Sequence, residues 1–397
     1  MTADFNLKCE VSDYLSETDH DQACDLLARS FPLDYESALE KFNFELKVMP
    51  RTQFIVVKDG SRIVGLLCLV DRAFPYHEVT LSVKGLSYMA VLSKYRDFSV
   101  TNLIKQQLFL LLDTESDLSI GFARKVMDRY WHPYGFVGFT NFGEIHVPLV
   151  KPRGNEILLE VRQISKEDID VVCGLHRKTY ARVLGGFLRD EKLWSYYIEK
   201  AAINNQSFNT IWLNGEVVSY FYCSENHIYE VACGSLSPPQ ILSLIADYVT
   251  SSNATHKDLV FHTGFTHPLS AYLRNDMHRM ISRFEWKGGH ILRISSVERL
   301  LDKIRQVIQS RLVSGNVRDF EIRLDNFIFI FMQQKLRIVM TRKPKKVEQF
   351  SEALWVKLIF GVIDPGTIAE FRDSEMLPVI RVMFPQENPQ VPLIDQF

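Results

Sequence analysis

Two short stretches in the N-terminal third hold the residues with most chemistry to offer. In the first, an apolar strand, Gly85-Leu86-Ser87-Tyr88-Met89-Ala90-Val91, runs into Ser93-Lys94-Tyr95-Arg96-Asp97-Phe98-Ser99-Val100-Thr101 and then a helix. A strand–loop–helix junction offers backbone N–H groups and the positive end of a helix dipole, a setting that suits a diphosphate. Arg96 adds a charge and a planar fork of donors. An ordinary strand-to-helix connection with an exposed Arg has the same pattern, and no glycine-rich phosphate loop is present. The second stretch is Tyr130-Trp131-His132-Pro133-Tyr134-Gly135-Phe136. It reads structurally as a helix end closed by Gly135 with aromatic packing. Its chemical reading is a phenol (Tyr130, Tyr134) or an imidazole (His132) serving as general acid. The Trp131 indole can donate a hydrogen bond but gives up no proton near neutral pH.

The elements needed to position these stretches are legible. Helical spacing covers Asp19–Phe31 and Ser37–Met49, with Pro32 and Pro50 as stops. Two β-rich runs flank Lys58-Asp59-Gly60-Ser61, a hairpin signal. Val79–Val91 reads as a strand, Ser99–Leu112 as a helix and Asp117–Ala123 as a strand. The same order then recurs: helices Ser165–Arg182 and Glu191–Ala202, a hairpin over Asn209–Cys223 with Asn214-Gly215 at its turn, a strand His227–Cys233, a helix Pro238–Ser251 and a strand Asp258–His262. The two turns are about 155 residues apart, and tandem copies of one fold are the economical account.

After Gly288-Gly289 the pattern changes to one long amphipathic helix (Ser296–Leu312), three strands (Asp319–Leu324, Asn326–Met332, Lys335–Thr341) and two helical stretches (Ser351–Phe360, Pro365–Phe371). Phe327–Phe331 is apolar throughout, which suits a strand covered on both faces. The expected fold is α/β and α+β: an α/β domain over 1–150, a second over 151–290 and a smaller α+β domain over 291–397.

With 397 residues and a formal net charge of −2, the chain has no basic stripe for nucleic acid. The one basic run, Arg342-Lys343-Pro344-Lys345-Lys346, reads as a solvated turn. The N-terminus carries no basic and apolar leader pattern, so no secretory signal is expected. No apolar run approaches the ~20 residues of a membrane span. Six cysteines stand singly with no C-x-x-C pair, which argues for neither zinc nor disulfides and for a reducing, cytoplasmic setting. His262, His267 and His278 lack metal-ligand spacing and read as satisfied histidines. No metal is expected.

The hairpin, the L-S-x-x-A-V strand, Arg96 entering a helix, the next strand and an aromatic segment ending Gly135-Phe136 together resemble GNAT-type N-acetyltransferases. The whole chain resembles the enhanced intracellular survival protein family: an active GNAT domain, a degenerate second one, and a C-terminal domain like sterol carrier protein 2. Leu354–Gly361 (LWVKLIFG), Val382-Met383-Phe384-Pro385 and a chain ending on Phe397 carry the C-terminal part of the match. The resemblance implies acetyl-CoA as co-substrate. Met89, Ala90 and Val91 would offer backbone groups to its pantetheine, and Arg96 with the amides of Ser99, Val100 and Thr101 would hold its diphosphate. The terminal carboxylate of Phe397 would act as base and a Tyr as acid. It also implies a small-molecule amine or a lysine side chain as acceptor, and a homo-oligomer.

Two departures from the family pattern fall on this site. The family loop resembles R-x-x-G-x-G/A, whereas Arg96 is followed by Asp97, Phe98, Ser99, Val100 and Thr101. The family acid is a Tyr four residues before a Gly, and four before Gly135 stands Trp131. The rival reading is therefore a catalytically inert scaffold of the same architecture acting in binding or assembly. A lipid carrier built on the third domain is a weaker one.

Overall fold

The computed structural model describes residues 6–31, 33–96, 98–123, 130–139, 143–149, 159–180, 183–252, 256–264, 267–273, 279–282, 289–341, 351–392 and 395. The first unit opens with β1 (Leu7–Ser12), which the sequence reading leaves out, then α1 (Glu17–Ser30) and α2 (Tyr35–Val48). Ser16 caps α1 through the Asp19 amide and Asp34 caps α2 through the Ser37 amide. β2 (Thr52–Asp59) and β3 (Arg62–Tyr76) turn through Gly60 at φ +61, and β3 returns along β4 (Val79–Val91). α3 (Phe98–Glu115), β5 (Leu118–Ala123) and the short β6 (Val137–Gly138) follow.

The second unit holds β7 (Gly143–Pro148), β8 (Leu159–Gln163), α4 (Ile169–Tyr180) and α5 (Glu191–Ile203). It continues with β9 (Ser207–Leu213), β10 (Glu216–Ser224), β11 (His227–Ala232), α6 (Pro238–Ser252), β12 (Asp258–His262), α7 (Pro268–Leu273) and β13 (Arg279–Ser282). Ser165 and Asp168 close a reciprocal capping box ahead of α4, as the Ser-x-x-Asp pattern implies. Asn214 and Gly215 both take positive φ, the backbone of a type I′ hairpin turn. Both large sheets follow one plan: an antiparallel run (β1-β2-β3-β4 and β8-β9-β10-β11) that ends in a parallel step, β4 to β5 and β11 to β12.

The sheets cross the sequence borders. β7 lies before residue 150 but pairs with β12 and β13 in the second sheet. β14 (Gly289–Ile294), which follows the second unit, pairs with β5 and β6 in the first. The chain thus passes to the second sheet after β6 and returns after β13. The two sheets are therefore linked covalently at two crossings rather than one, each sheet being complete only with a strand from beyond the sequence border.

The third unit comprises α8 (Val297–Ser314), β15 (Phe320–Leu324), β16 (Phe327–Met332), β17 (Lys335–Met340), α9 (Glu352–Ile359), α10 (Ala369–Arg372) and α11 (Leu377–Met383). The stretch expected as one helix over Pro365–Phe371 splits into a 3₁₀ turn at Pro365–Thr367 and α10, with Asp364 accepting from the Gly366 amide. The expectation of a two-sided cover on β16 is corrected. Phe327, Phe329 and Phe331 are buried, whereas Ile328 and Ile330 are half-buried and Met332 is exposed. Its outer neighbours Glu321, Arg323 and Arg337 are polar, so the sheet packs on one face only. One continuous core joins this unit to the first: Phe74, Tyr76 and Leu81 of β3 and β4 pack with Leu300, Ile304, Trp355 and Phe360. Each such side chain contributes roughly 1.5–3 kcal/mol on burial.

Three histidines are buried as neutral groups. Burial pushes His176 well below its ordinary value, and His267 and His290 down to about 4. Within the His267 ring, Nε2 donates to the Val231 carbonyl at 3.0 Å and Nδ1 accepts from the Leu269 amide at 3.2 Å, so the neutral form is fully satisfied. The unfolded chain takes up these protons near 6.5 and the folded one does not. Stability is therefore whole above about pH 6.5 and is lost as pH falls toward 4. Thermal unfolding scans across that interval should show a falling midpoint, and the fall should be shallower in His267→Gln.

Candidate active site

The site begins with a mismatch between two strands. β4 pairs with β3 from Tyr76↔Val79 to Gly65↔Val91, but the register shifts between Leu67 and Leu69, which face Met89 and Leu86. Two steps of β3 thus span three of β4: a β-bulge at Ser87-Tyr88. β4 and β5 run parallel from Val83↔Leu118 to Leu86↔Gly121, and their pairing stops there. Beyond the bulge, the β5-facing edge of Ser87–Val91 has no strand partner among the described residues. A molecule with its own amides can occupy such an edge as an added strand does.

The end of β4 is closely shaped. Leu92 donates to the Val64 carbonyl, a 3₁₀ turn covers Ser93–Tyr95, and the buried Tyr95 donates to Asp59 at 2.6 Å. Arg96 is exposed, and its Nε donates to the Val91 carbonyl at 3.2 Å. α3 starts at Phe98. Val100 is fully buried against Gly65, where an added Cβ would stand 2.6 Å from Val100 Cγ1. That close approach seats the first turn of α3 over the sheet, with Ser99 exposed and Thr101 half-buried. Asp97 and Phe397 lie outside the described residues.

Opposite α3 stands the aromatic stretch. Trp131 is 7 % exposed and packs on Phe136 at 5.3 Å, so the indole in the position of the family acid belongs to the core. His132 is exposed and opens a 3₁₀ turn, His132–Tyr134, that ends on Gly135 at φ +82. Gly135 is closely covered: an added Cβ would lie 2.2 Å from the Glu352 carboxylate. Tyr134 stacks on Phe109 at 5.3 Å and accepts a 2.7 Å hydrogen bond from Lys105 Nζ. The same ammonium stands 4.2 Å from the centre of the Tyr130 ring and 4.4 Å from that of Tyr134. Burial raises the Tyr130 phenol and Lys105 partly opposes the rise. For Lys105 burial is the largest influence and works against the charge, but Tyr134 and Tyr130 together outweigh it and the ammonium is held above its ordinary value.

Of the residues chosen from sequence, Met89 and Val91 share a core cluster with Trp131, Tyr130 and Tyr134. Ala90 faces the other side of the sheet, among Phe42, Cys68 and Phe54, so only its backbone can serve the cleft. Lys105 was missed, and so were two buried networks. Glu45, 1 % exposed, accepts from the Tyr88 hydroxyl and stands 3.3 Å from Lys200 Nζ of α5, which ties the bulge to the second unit. Arg189 grips Glu230 with bonds of 2.7 and 2.6 Å and Asp395 at 2.7 and 3.1 Å; Tyr197 donates to Asp395 at 2.6 Å. All of these charges are fully buried, two residues short of Phe397. His227 and His262 share a 2.8 Å hydrogen bond, and among the described residues no group of three or more His, Cys, Asp and Glu is placed to hold a metal. A cavity of about 630 Å³ lies at the far end of the sheet, lined by Asp13, Tyr14, His20, Gln53 and Asp71, and shares no lining residue with the cleft.

Trp131→Ala should lower stability by ~3–5 kcal/mol, the usual cost of emptying a large aromatic site. His132→Ala should leave the melting midpoint in place. Paired thermal denaturation of the two variants checks the assignment of Trp131 to the core.

Residues 12–138 match the family model for the acetyltransferase (GNAT) domain. Solved structures share the fold along nearly the whole chain. A GCN5-related N-acetyltransferase from Anabaena variabilis is 13 % identical with TM-score 0.72; the likeness covers 98 % of this chain and 100 % of that one. A probable N-acyltransferase of unknown function from Enterococcus faecalis is 13 % identical with TM-score 0.68, over the same shares. Eis1 from Mycobacterium abscessus is 12 % identical with TM-score 0.57, again over 98 % and 100 %. No curated protein matches the chain in sequence. The bulged β4, its parting from β5 and the helix that follows thus all lie within the residues that match the acetyltransferase (GNAT) domain model.

Proposed function

We propose that the protein is an acyl-CoA-dependent N-acyltransferase whose first unit binds acetyl-CoA in the cleft between β4 and β5. The observation that carries this reading is the unpartnered edge of Ser87–Val91 beside the start of α3. In this reading the pantetheine amides pair with backbone groups of Met89 and Val91. The diphosphate rests on the amides of Ser99, Val100 and Thr101, with Arg96 beside it. An amine, free or on a lysine side chain, attacks the thioester carbonyl, and a backbone N–H of β4 holds the oxyanion. Tyr134 or Tyr130 returns a proton to the sulfur.

For the base we carry forward the terminal carboxylate of Phe397. Its support is the family resemblance and the fixing of Asp395 by Arg189 and Tyr197, two residues earlier. Two residues span at most ~7 Å, so a carboxylate that follows Asp395 by two residues would act within that reach of the anchor. The first unit, supported by the other two, would then hold a cleft shared by several parts of the chain. We read the third unit as a sterol carrier protein 2-like domain in a structural role, its buried face being filled by Phe327, Phe329 and Trp355.

A second reading, a scaffold that binds no coenzyme, is favoured by Ser99 in place of a loop glycine and by the core role of Trp131. Calorimetric titration with acetyl-CoA separates the two. The enzyme reading expects saturable binding that Arg96→Ala weakens ~10-fold, the worth of one charge-assisted hydrogen bond. Absence of heat and of thermal stabilisation at millimolar acetyl-CoA would establish the scaffold reading instead. The base has its own test: adding one Gly after Phe397 should cut turnover at least ~10²-fold, the range of general-base catalysis, while acetyl-CoA binding stays unchanged.

A further inference from the structure

Lys105 is a cation in an unusual place. It is 9 % exposed, yet no carboxylate lies within salt-bridge distance of it among the described residues. Its neighbours are two phenols: the Tyr134 hydroxyl at 2.7 Å and the faces of Tyr130 and Tyr134. A buried charge is costly unless an opposite charge or strong acceptors meet it. Neutral phenols meet that need only in part.

The direction of the side chain gives the reason. On α3, Ile104 and Leu108 are fully buried, and the Leu103 carbonyl lies near Cys9 of β1. At ~100° per residue, Lys105 lies on the flank opposite Leu103, in line with Thr101 one turn before and Phe109 one turn after. That flank carries the contacts to Tyr134, from Lys105 Nζ and from the Phe109 ring. Tyr134 in turn shares a core cluster with Met89 and Val91 of β4, so the ammonium is joined to the open edge through Tyr134, one turn along α3 from the amides assigned to the diphosphate.

We propose that Lys105 is the cation that offsets the charge left on the coenzyme's sulfur, acting as a positioning residue that holds Tyr134 to deliver the proton. The inference rests on the acyl-CoA reading above. The step balances. The amine nitrogen bonds to the carbonyl carbon, and the C–S bond breaks with its electron pair going to sulfur. Tyr134 passes its O–H proton to that sulfur, and the phenolate draws one along its 2.7 Å hydrogen bond from the Lys105 ammonium. Solvent restores the lysine proton, while the proton shed by the amine leaves through the base. Tyr134 is preferred to Tyr130 because it holds the 2.7 Å hydrogen bond from Lys105, whereas the Tyr130 hydroxyl has no such bond among the described residues.

The test compares coenzyme A with desulfo-coenzyme A, which keeps the phosphates and lacks the thiol. Wild type should bind coenzyme A more tightly as pH rises from about 7 to 9, since a nearby cation favours the thiolate, and should bind the desulfo compound without that trend. Lys105→Met should abolish the trend and leave desulfo-coenzyme A affinity within about twofold, with kcat down ~10²-fold at unchanged KM. Lys105→Arg should restore the trend. Tyr134→Phe should keep the binding trend but lose kcat, which also guards against a Lys105→Met chain that fails to fold. Equal weakening of both ligands by Lys105→Met would make Lys105 a phosphate contact and overturn the proposal. An unaltered pH trend in that variant would leave Lys105 a packing residue and overturn it too. If wild type binds neither compound, the acyl-CoA reading falls and this inference with it; binding without the pH trend sinks the inference alone.

Discussion

One extra residue in β4 sets the geometry on which the rest depends. The bulge at Ser87-Tyr88 bends the strand away from β5 after four paired positions while its bonds to β3 continue. A sheet normally hides its backbone donors and acceptors in ladders, because an unpaired buried group is costly. Here a stretch of edge is left open inside the fold rather than at its rim. Several features hold that arrangement in place. Tyr88 is clasped by Glu45, with Lys200 beside it from the second unit. Gly65 lets Val100 press α3 onto the sheet, and Arg96 fastens to the Val91 carbonyl.

The wider architecture reads as support for that opening. β14 continues the first sheet beyond β5, so β5 has a partner on its far side while its near side parts from β4. β7 performs the corresponding service for the second sheet. Each sheet thus takes a strand from across the sequence border, and the chain crosses between the two sheets twice. The C-terminal segment is threaded between them: Gln390 donates to the Leu184 carbonyl, and Gly185, at φ +122, leaves no room for a Cβ against the Gln390 backbone. Arg189 then closes on Asp395 in a site without water access, where losing either partner would strand a buried charge.

Much of this was legible in the sequence because it is local. The two hairpins announce themselves through Gly60 and Asn214-Gly215, and the helices through apolar spacing and Pro stops. The junction at Arg96 was visible because strand, loop and helix are contiguous. The rest depends on who pairs with whom. β7 and β14 are six residues each, and nothing in their composition tells which sheet takes them. Lys105 carries no signature of its own in the sequence, because its role depends on Tyr134, a residue 29 positions away that only the fold brings to it. The aromatic stretch could be found but not sorted, since the four side chains Tyr130, Trp131, His132 and Tyr134 take different directions within one helical turn. The structure puts the indole in the core, leaves the imidazole exposed and brings the phenols to Lys105.

The account stands on coenzyme occupying the open edge of β4. Amide hydrogen exchange with and without acetyl-CoA tests that most directly. Slower exchange confined to the peptides spanning 87–91 and 98–104 is the predicted result. Exchange that is unchanged there at saturating acetyl-CoA, or protection that appears only elsewhere in the chain, would contradict it.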